Sequence, residues 1–331
     1  MTDNPVSPRK NRWVISLVST CFFAGLLVYA VDWRASLRML QTGHSASPLL
    51  LFLVAVAGMA LMFGYRWRLL VGPALTFEPA MVGSLLCLGG NMLLPARGGD
   101  LIRAQHSRNA TGKPYSEIFS KVIVEKVIDL GSIVAIGTAA LLLRYDATTS
   151  RYLDLLLAVL ATAMFSLACV VIGLRYFHVP AIKALRAVSA LVRLRPFTEA
   201  HIIPLLGDAS ASFSVSTLAW PILVTFAMWL FLYAPSYMAV GAFVGVHMHY
   251  TEALFVLFAG AIGLMIPAAP SGIGTFHTSI VSAFVFLGRP ASEGLLLATA
   301  IHLLFLIVCA LPASALLWRW RFAPAWQRAP G

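Results

Sequence analysis

The sequence predicts an all-α polytopic membrane protein, with about six full transmembrane helices and two re-entrant helical hairpins arranged as an inverted repeat. Three observations carry this prediction. Of 331 residues, 60% are hydrophobic and only 11% charged; the mean hydropathy is +0.84; and apolar runs of spanning length recur along the chain. Soluble domains carry about 25% charged residues, and a helix needs about 20 apolar residues to cross the hydrocarbon. The 24 Lys and Arg exceed the 13 Asp and Glu by 11, an excess that in so apolar a chain reads first as a topology signal and not as a nucleic-acid footprint. Cys21, Cys87, Cys169 and Cys309 stand far apart with no CxxC pair, which excludes a zinc ribbon or a disulfide-stapled domain. No metal or cofactor is expected.

The first apolar run, 13–31, follows Arg9, Lys10 and Arg12. It is longer than the roughly 7–15 apolar residues of a cleaved signal and reads as an uncleaved helix with a cytoplasmic amino terminus. Further crossings fall near 48–65, 122–143, 152–174, 218–244 and 294–317. Two apolar stretches break early: 80–94 ends in Gly89, Gly90, Asn91 and Pro95, and 252–267 runs into Pro267, Pro270, Gly272 and Gly274.

Lys and Arg near helix ends mark the cytoplasmic face, and the segment 175–195 carries Arg175, Lys183, Arg186, Arg193 and Arg195 with no acid. Fixing that segment inside places both ends of 80–121 inside as well, so 80–94 and 98–108 read as a hairpin entering from the cytoplasm. The second hairpin, about 252–287, enters from outside, and Arg319, Arg321 and Arg328 return the carboxyl terminus to the cytoplasm. The order helix, helix, hairpin, helix occurs twice within one membrane domain, 1–331. Its halves are 13–143 and 152–317, with a basic interfacial insertion at 175–217. An odd number of crossings per half inverts the second relative to the first, as in many secondary transporters. Leu94-Pro95-Ala96 and Ile266-Pro267-Ala268 are the matching pieces of the hairpins. Within the insertion, 181–194 sets Lys183, Arg186 and Arg193 against Leu185, Val188 and Val192, an amphipathic helix suited to the membrane interface.

The densest polar cluster is the stretch 89–103, containing Asn91, Pro95, Arg97, Gly98, Gly99, Asp100 and Arg103. A helix break at membrane depth must be buried in protein or line a wet cavity. A helix starting near Gly98 presents free N–H groups suited to phosphate, Arg97 and Arg103 add permanent cations, and Asp100 either caps the helix or holds an arginine. On the 122–143 helix, Glu125 and Asp129 share a face beside Lys126, and a charge at mid-membrane costs at least about 2.5–3.5 kcal/mol. The two carboxylates therefore pair with Arg97 or Arg103 or one of them carries a proton; alternatively Glu125, near the helix end, snorkels to the interface or pairs with Lys121. Pro270, Ser271, Gly272 and Gly274 offer a second anion-binding turn, with Ser271 as N-cap and His277 one to two turns into the helix.

These motifs resemble the lysylphosphatidylglycerol synthase/flippase transmembrane family, the membrane portion of bacterial multiple peptide resistance factors and of stand-alone proteins. The resemblance rests on Leu94 to Arg103, on Val124-Glu125-Lys126-Val127-Ile128-Asp129 and on Pro270-Ser271-Gly272-Ile273-Gly274-Thr275-Phe276, and it covers nearly the whole chain. It implies a flippase, or an accessory to envelope lipid assembly, in a bacterial inner membrane; the Lys and Arg placement above puts both termini on its cytoplasmic side. Asp100, Lys126 and His277 stand where the family often has Glu, Arg and Glu, and the last difference weakens a proton-coupling role there. Only fourteen residues follow Leu317, so the aminoacyl-transferase domain of the larger relatives is not expected.

The leading functional expectation is translocation of a phosphate-bearing lipid head group by a non-enzymatic polar groove, with hopanoid, aminoacyl phospholipid and polyprenyl-phosphate sugar all open as the substrate. Burial is worth about 0.8 kcal/mol per methylene, so the tails must stay in lipid while the head moves. No P-loop sequence is present to couple ATP. One alternative is a non-catalytic membrane partner of a lipid-biosynthetic enzyme. The other is an intramembrane serine hydrolase using Ser271 with His277 or His302, which the Ala at 269 disfavours. The absence of HExxH leaves no zinc hydrolase reading.

Overall fold

A computed structural model describes residues 47–94, 97–144, 151–191, 195–266 and 272–321. The described residues form eleven helices and no strand. The first predicted crossing, 13–31, lies outside them, as do Pro95 and the hairpin residues 267–271.

Helix α1 (Ser47–Val71) stops at Gly72, which takes a positive φ of 95° ahead of Pro73. Helix α2 (Phe77–Leu93) begins with Glu78 and Pro79 in its first turn, where a missing N–H costs nothing. Helix α3 (Gly98–Thr111) ends on Gly112 in the left-handed conformation, with its N–H bonded to the Arg108 carbonyl. Pro114 then opens α4 (Tyr115–Arg144). The next crossing is α5 (Arg151–Tyr176), followed by α6 (His178–Leu191) and by α7, which runs 195–212 as Arg195–Phe197, a π-helical turn Thr198–Ile202 and Ile203–Ser212. Helix α8 runs 215–243, from a Ser214 cap through Val215–Met228, a π-helical turn Trp229–Tyr233 and Ala234–Phe243. The second hairpin is α9 (Tyr250–Met265) and α10 (Thr275–Phe286). Helix α11 runs 291–321, with a third π-helical turn at Leu306–Ala310.

Five of these helices are long and apolar enough to cross a membrane: Ser47–Val71, Tyr115–Leu143, Leu156–Tyr176, Ser216–Phe243 and Ala291–Leu316. The chain is an all-α polytopic membrane protein. Its hairpin helices are shorter, at 17, 14, 16 and 12 residues. Helix α5 leaves most of its described apolar side chains exposed, Leu160 being buried, an arrangement that lipid tolerates and water does not.

Close packing at glycine holds each hairpin together. A Cβ on Gly99 would lie 2.2 Å from the Cys87 carbonyl oxygen, and one on Gly90 would lie 2.8 Å from the Gly99 Cα. The backbones of α2 and α3 therefore touch. In the second hairpin, a Cβ on Gly263 would meet the Thr275 carbonyl at 2.7 Å. The packing is reciprocal. Helix α2 lies on α1 and reaches across to α11, whereas α9 lies on α8 and reaches across to α4. Helix α3 packs on α4 as α10 does on α11, and α1 packs directly on α8. A core drawn from both hairpins and five long helices results, including Phe52, Met59, Ile133, Leu160, Met228, Tyr237, Leu257, Phe276 and Leu297.

The basic helix starts three residues earlier than expected, with Pro180 in its first turn. Lys183 and Arg186 are exposed. The acid missing from 175–195 comes from further along: Glu199 accepts from Arg186 Nε at 2.9 Å.

Candidate functional site

Where α1, α3 and α4 meet, four cations and three carboxylates form one network. Arg66 on α1 is fully buried; its Nη2 lies 3.2 Å from Glu125 Oε1 and donates to Asp129 Oδ2 at 3.3 Å. Its Nη1 bonds Asp129 Oδ1 and donates to the Thr225 hydroxyl on α8 at 2.8 Å. Arg103 on α3, also fully buried, donates from Nη2 to Glu125 Oε1 at 3.0 Å and lies 3.5 Å from Asp100 Oδ1. Its guanidinium sits 4.0 Å from the Trp67 ring centroid and 4.8 Å from that of Phe63, a favourable placement for a cation withdrawn from water. Asp100 collects the remaining cations, with Lys126 Nζ at 3.1 Å from Oδ1 and Arg97 Nε at 3.6 Å from Oδ2, and accepts from the Cys87 thiol at 3.1 Å.

Local structure explains these positions. The spacing of four brings Glu125 and Asp129 to one face of α4, and that face meets α1. The hairpin turn puts Arg97 at the N-cap of α3 with φ 55°, the sole non-glycine residue with positive φ among those described. Asp100 sits in the first turn of α3, at the positive end of its dipole, and Arg103 follows one turn later. The touching backbones of α2 and α3 bring Cys87 and Asn91 against this turn, and Asn91 Nδ2 lies 3.6 Å from the Cys87 sulfur.

Beside the network lies a cavity of about 200 Å³, room for several water molecules. One end is polar, lined by Arg66, Asn91, Arg97, Lys126 and Asp129. The rest is largely apolar, with Leu257, Ala261, Leu264 and Phe276 from the second hairpin and Trp229, Tyr233, Tyr237 and Phe305 from α8 and α11. Both hairpins thus contribute walls. Asp100 pairs with Arg97 and Lys126, and these two cations, but not Asp100, line the cavity. Those two side chains are 45% and 28% exposed, against 0% for Arg66 and Arg103.

The site residues expected from the sequence separate into groups. Asn91, Arg97, Asp100, Arg103, Glu125 and Asp129 come together, and Gly98 and Gly99 form the turn that allows it. Glu125 is fully buried against Arg66 and Arg103 and does not pair with Lys121, which donates to Ser212 instead. Gly272 and Gly274 both take positive φ beyond the second break. Gly274, not Ser271, precedes the first residue of α10, which places His277 in the first turn. The His277 ring stacks on that of His302, centroids 5.2 Å apart, and His302 lines the apolar end of the cavity. Pro95, Pro270 and Ser271 lie outside the described residues.

Arg66 is the site residue that the sequence conceals, because beside Arg68 it reads as a topology signal. Arg66 lies three and seven residues after the buried Phe63 and Met59, whereas Arg68 is exposed; because the outer side of α1 is equally apolar, only the fold tells the two arginines apart. Thr225 and Cys87 carried no signal either.

The family model described as the lysylphosphatidylglycerol synthase TM region matches residues 13–313. The chain belongs to this family. Its matched region takes in both hairpins, the charge network and the cavity, and the protein is accordingly a multi-pass membrane protein of a lipid-related family. No curated protein and no solved structure matches the chain.

Proposed function

We propose that the protein translocates a phosphate-bearing lipid head group across the bilayer through the cavity between its hairpins, without chemical modification of the lipid. The observation that carries this reading is the pair Arg97 and Lys126. They come from different elements, are aimed by one buried carboxylate, and face a cavity whose remaining wall is mainly apolar and aromatic. Two cations at the rim suit a phosphodiester, and an apolar wall suits the glycerol and upper acyl region behind it. Family membership supports a lipid as cargo. The reciprocal packing of α2 on α11 and α9 on α4 supports two inverted halves, 13–143 and 152–317, with hairpins entering from opposite faces, a geometry used for alternating access. The basic insertion fits a cytoplasmic interface, and with it both termini on the cytoplasmic side of a bacterial inner membrane.

The test is reconstitution into vesicles with a fluorescent phosphatidyl lipid, following dithionite-accessible label. Each charge-assisted hydrogen bond is worth about 1.5–3 kcal/mol, so Arg97→Ala together with Lys126→Ala is expected to slow transport by roughly tenfold or more, while Arg186→Ala at the exposed pair leaves it unchanged. Transport by the double variant at the rate of the native protein would sink the assignment.

A further inference from the structure

The head-group cavity needs a side route to the bilayer, because stripping acyl chains from lipid costs about 0.8 kcal/mol per methylene. From the aromatic wall of that cavity, we infer that the seam between α8 and α11 is the acyl-chain site, through which the tails of a seated lipid lie while its phosphate occupies the polar end. This rests on the lipid reading of the cavity.

Three independent features meet at this seam. First, the wall is a single helix thick. On α8, Trp229 and Tyr233 line the cavity while Phe231 between them is 72% exposed on the opposite side. On α11, Phe305 faces the cavity while Leu303 and Ile307 on either side of it are half exposed outward. Second, the closure consists of side chains. Tyr233 and Phe305 stack with centroids 6.2 Å apart, Trp229 lies 4.6 Å from Tyr233, and Phe52 of α1 meets Phe305 edge-on at 5.3 Å. Third, both helices have a π-helical turn at this height, Trp229–Tyr233 and Leu306–Ala310. In the first, the Ala234 N–H reaches back five residues to the Trp229 carbonyl. Such turns are weak points of a helix and recur at functional sites. Of the three among the described residues, the third, in α7, does not line the cavity. A rotation of the Tyr233 and Phe305 side chains, with a small adjustment of the flanking π-turns, would join cavity and bilayer without breaking the charge network.

The experiment uses the native protein in vesicles containing a phospholipid with a diazirine midway along one acyl chain. Photolysis and peptide mass spectrometry are expected to place adducts on Trp229, Tyr233 or Phe305 as well as on the outer residues. Adducts confined to Phe231, Leu303, Ile307 and other outward residues would overturn the seam. In a second arm, Tyr233→Cys and Phe305→Cys are joined by a short bifunctional thiol reagent with a reducible linker, in a background lacking the native cysteines. Transport is expected to fall at least tenfold and to recover on reduction, while an undiminished rate in the fully cross-linked protein would also overturn it. Inner-face adducts in a protein that transports no lipid would leave the seam standing and remove the translocation reading, so the two failures are distinguishable.

Discussion

Replacing Glu125 by Gln tests the charge network directly. The carboxylate is completely buried and stands within 3.0 Å of Arg103 Nη2 and 3.2 Å of Arg66 Nη2, with Lys126 Nζ at 3.8 Å. The substitution keeps the shape and removes the charge. Arg66 retains Asp129 and Thr225, but Arg103 is left with Asp100 at 3.5 Å and the rings of Trp67 and Phe63. Removing one member of a buried ion pair costs about 3–5 kcal/mol, whereas an exposed pair is worth about 0–1 kcal/mol. Glu199→Gln, at the exposed Arg186 pair, is therefore the matched control. In a titration from non-ionic detergent into dodecyl sulfate, Glu125→Gln is expected to lower the unfolding free energy by about 3–5 kcal/mol, or roughly two to four powers of ten in the equilibrium constant. Glu199→Gln is expected to stay within about 1 kcal/mol of the native protein. A further check combines Glu125→Leu with Arg103→Met. Removing both charges abolishes the uncompensated guanidinium, and the double variant should be more stable than the sum of the single changes predicts, by at least about 1 kcal/mol. A Glu125→Gln protein as stable as the control would refute the reasoning.

Four further outcomes follow from the packing, the buried thiols and the left-handed turn. Gly99→Ala, whose methyl would lie 2.2 Å from the Cys87 carbonyl, is expected to destabilise by about 1–3 kcal/mol or more. Gly173→Ala meets nothing within 4 Å and should stabilise by about 0.5–1 kcal/mol through helix propensity; the same titration ranks both. In the folded protein, Cys87 and Cys309, both buried, should resist a membrane-permeant maleimide and react only once denaturant is added, as read by intact-mass and peptide mapping. Arg97→Gly should relieve the left-handed strain at φ 55° and raise stability slightly while weakening phosphate-lipid binding at least tenfold, measured by scintillation proximity with a radiolabelled lipid. A loss of both would indicate that Arg97 serves the fold and not the cavity.

Much of this architecture is legible from short-range chemistry. Proline and glycine at 89–99 and 267–274 announce breaks that lipid would not tolerate in an ordinary span, and α3 starts at Gly98, where the glycine pair and Asp100 place it. The spacing of Glu125 and Asp129 fixes their shared face. What stays hidden depends on contacts between elements far apart in sequence. Arg66 joins Asp129 and Thr225 across 63 and 159 residues, and nothing local distinguishes a cation that snorkels from one that turns inward. Lys126 is adjacent to Glu125, yet its ammonium answers Asp100 on another helix. The interfacial helix begins about one turn before its expected start because Pro180 fits a first turn as readily as a loop.

The carboxylate of Asp100, paired with both Arg97 and Lys126, bears on how firmly an anion would be held there. A visitor to those side chains gains only the excess over an attachment that already exists, and the side chains need little rearrangement to receive or release it. In the proposed translocation such a seat would exchange its occupant quickly and grip it lightly, as a station on a route must. Two bare cations in the same place would make a trap.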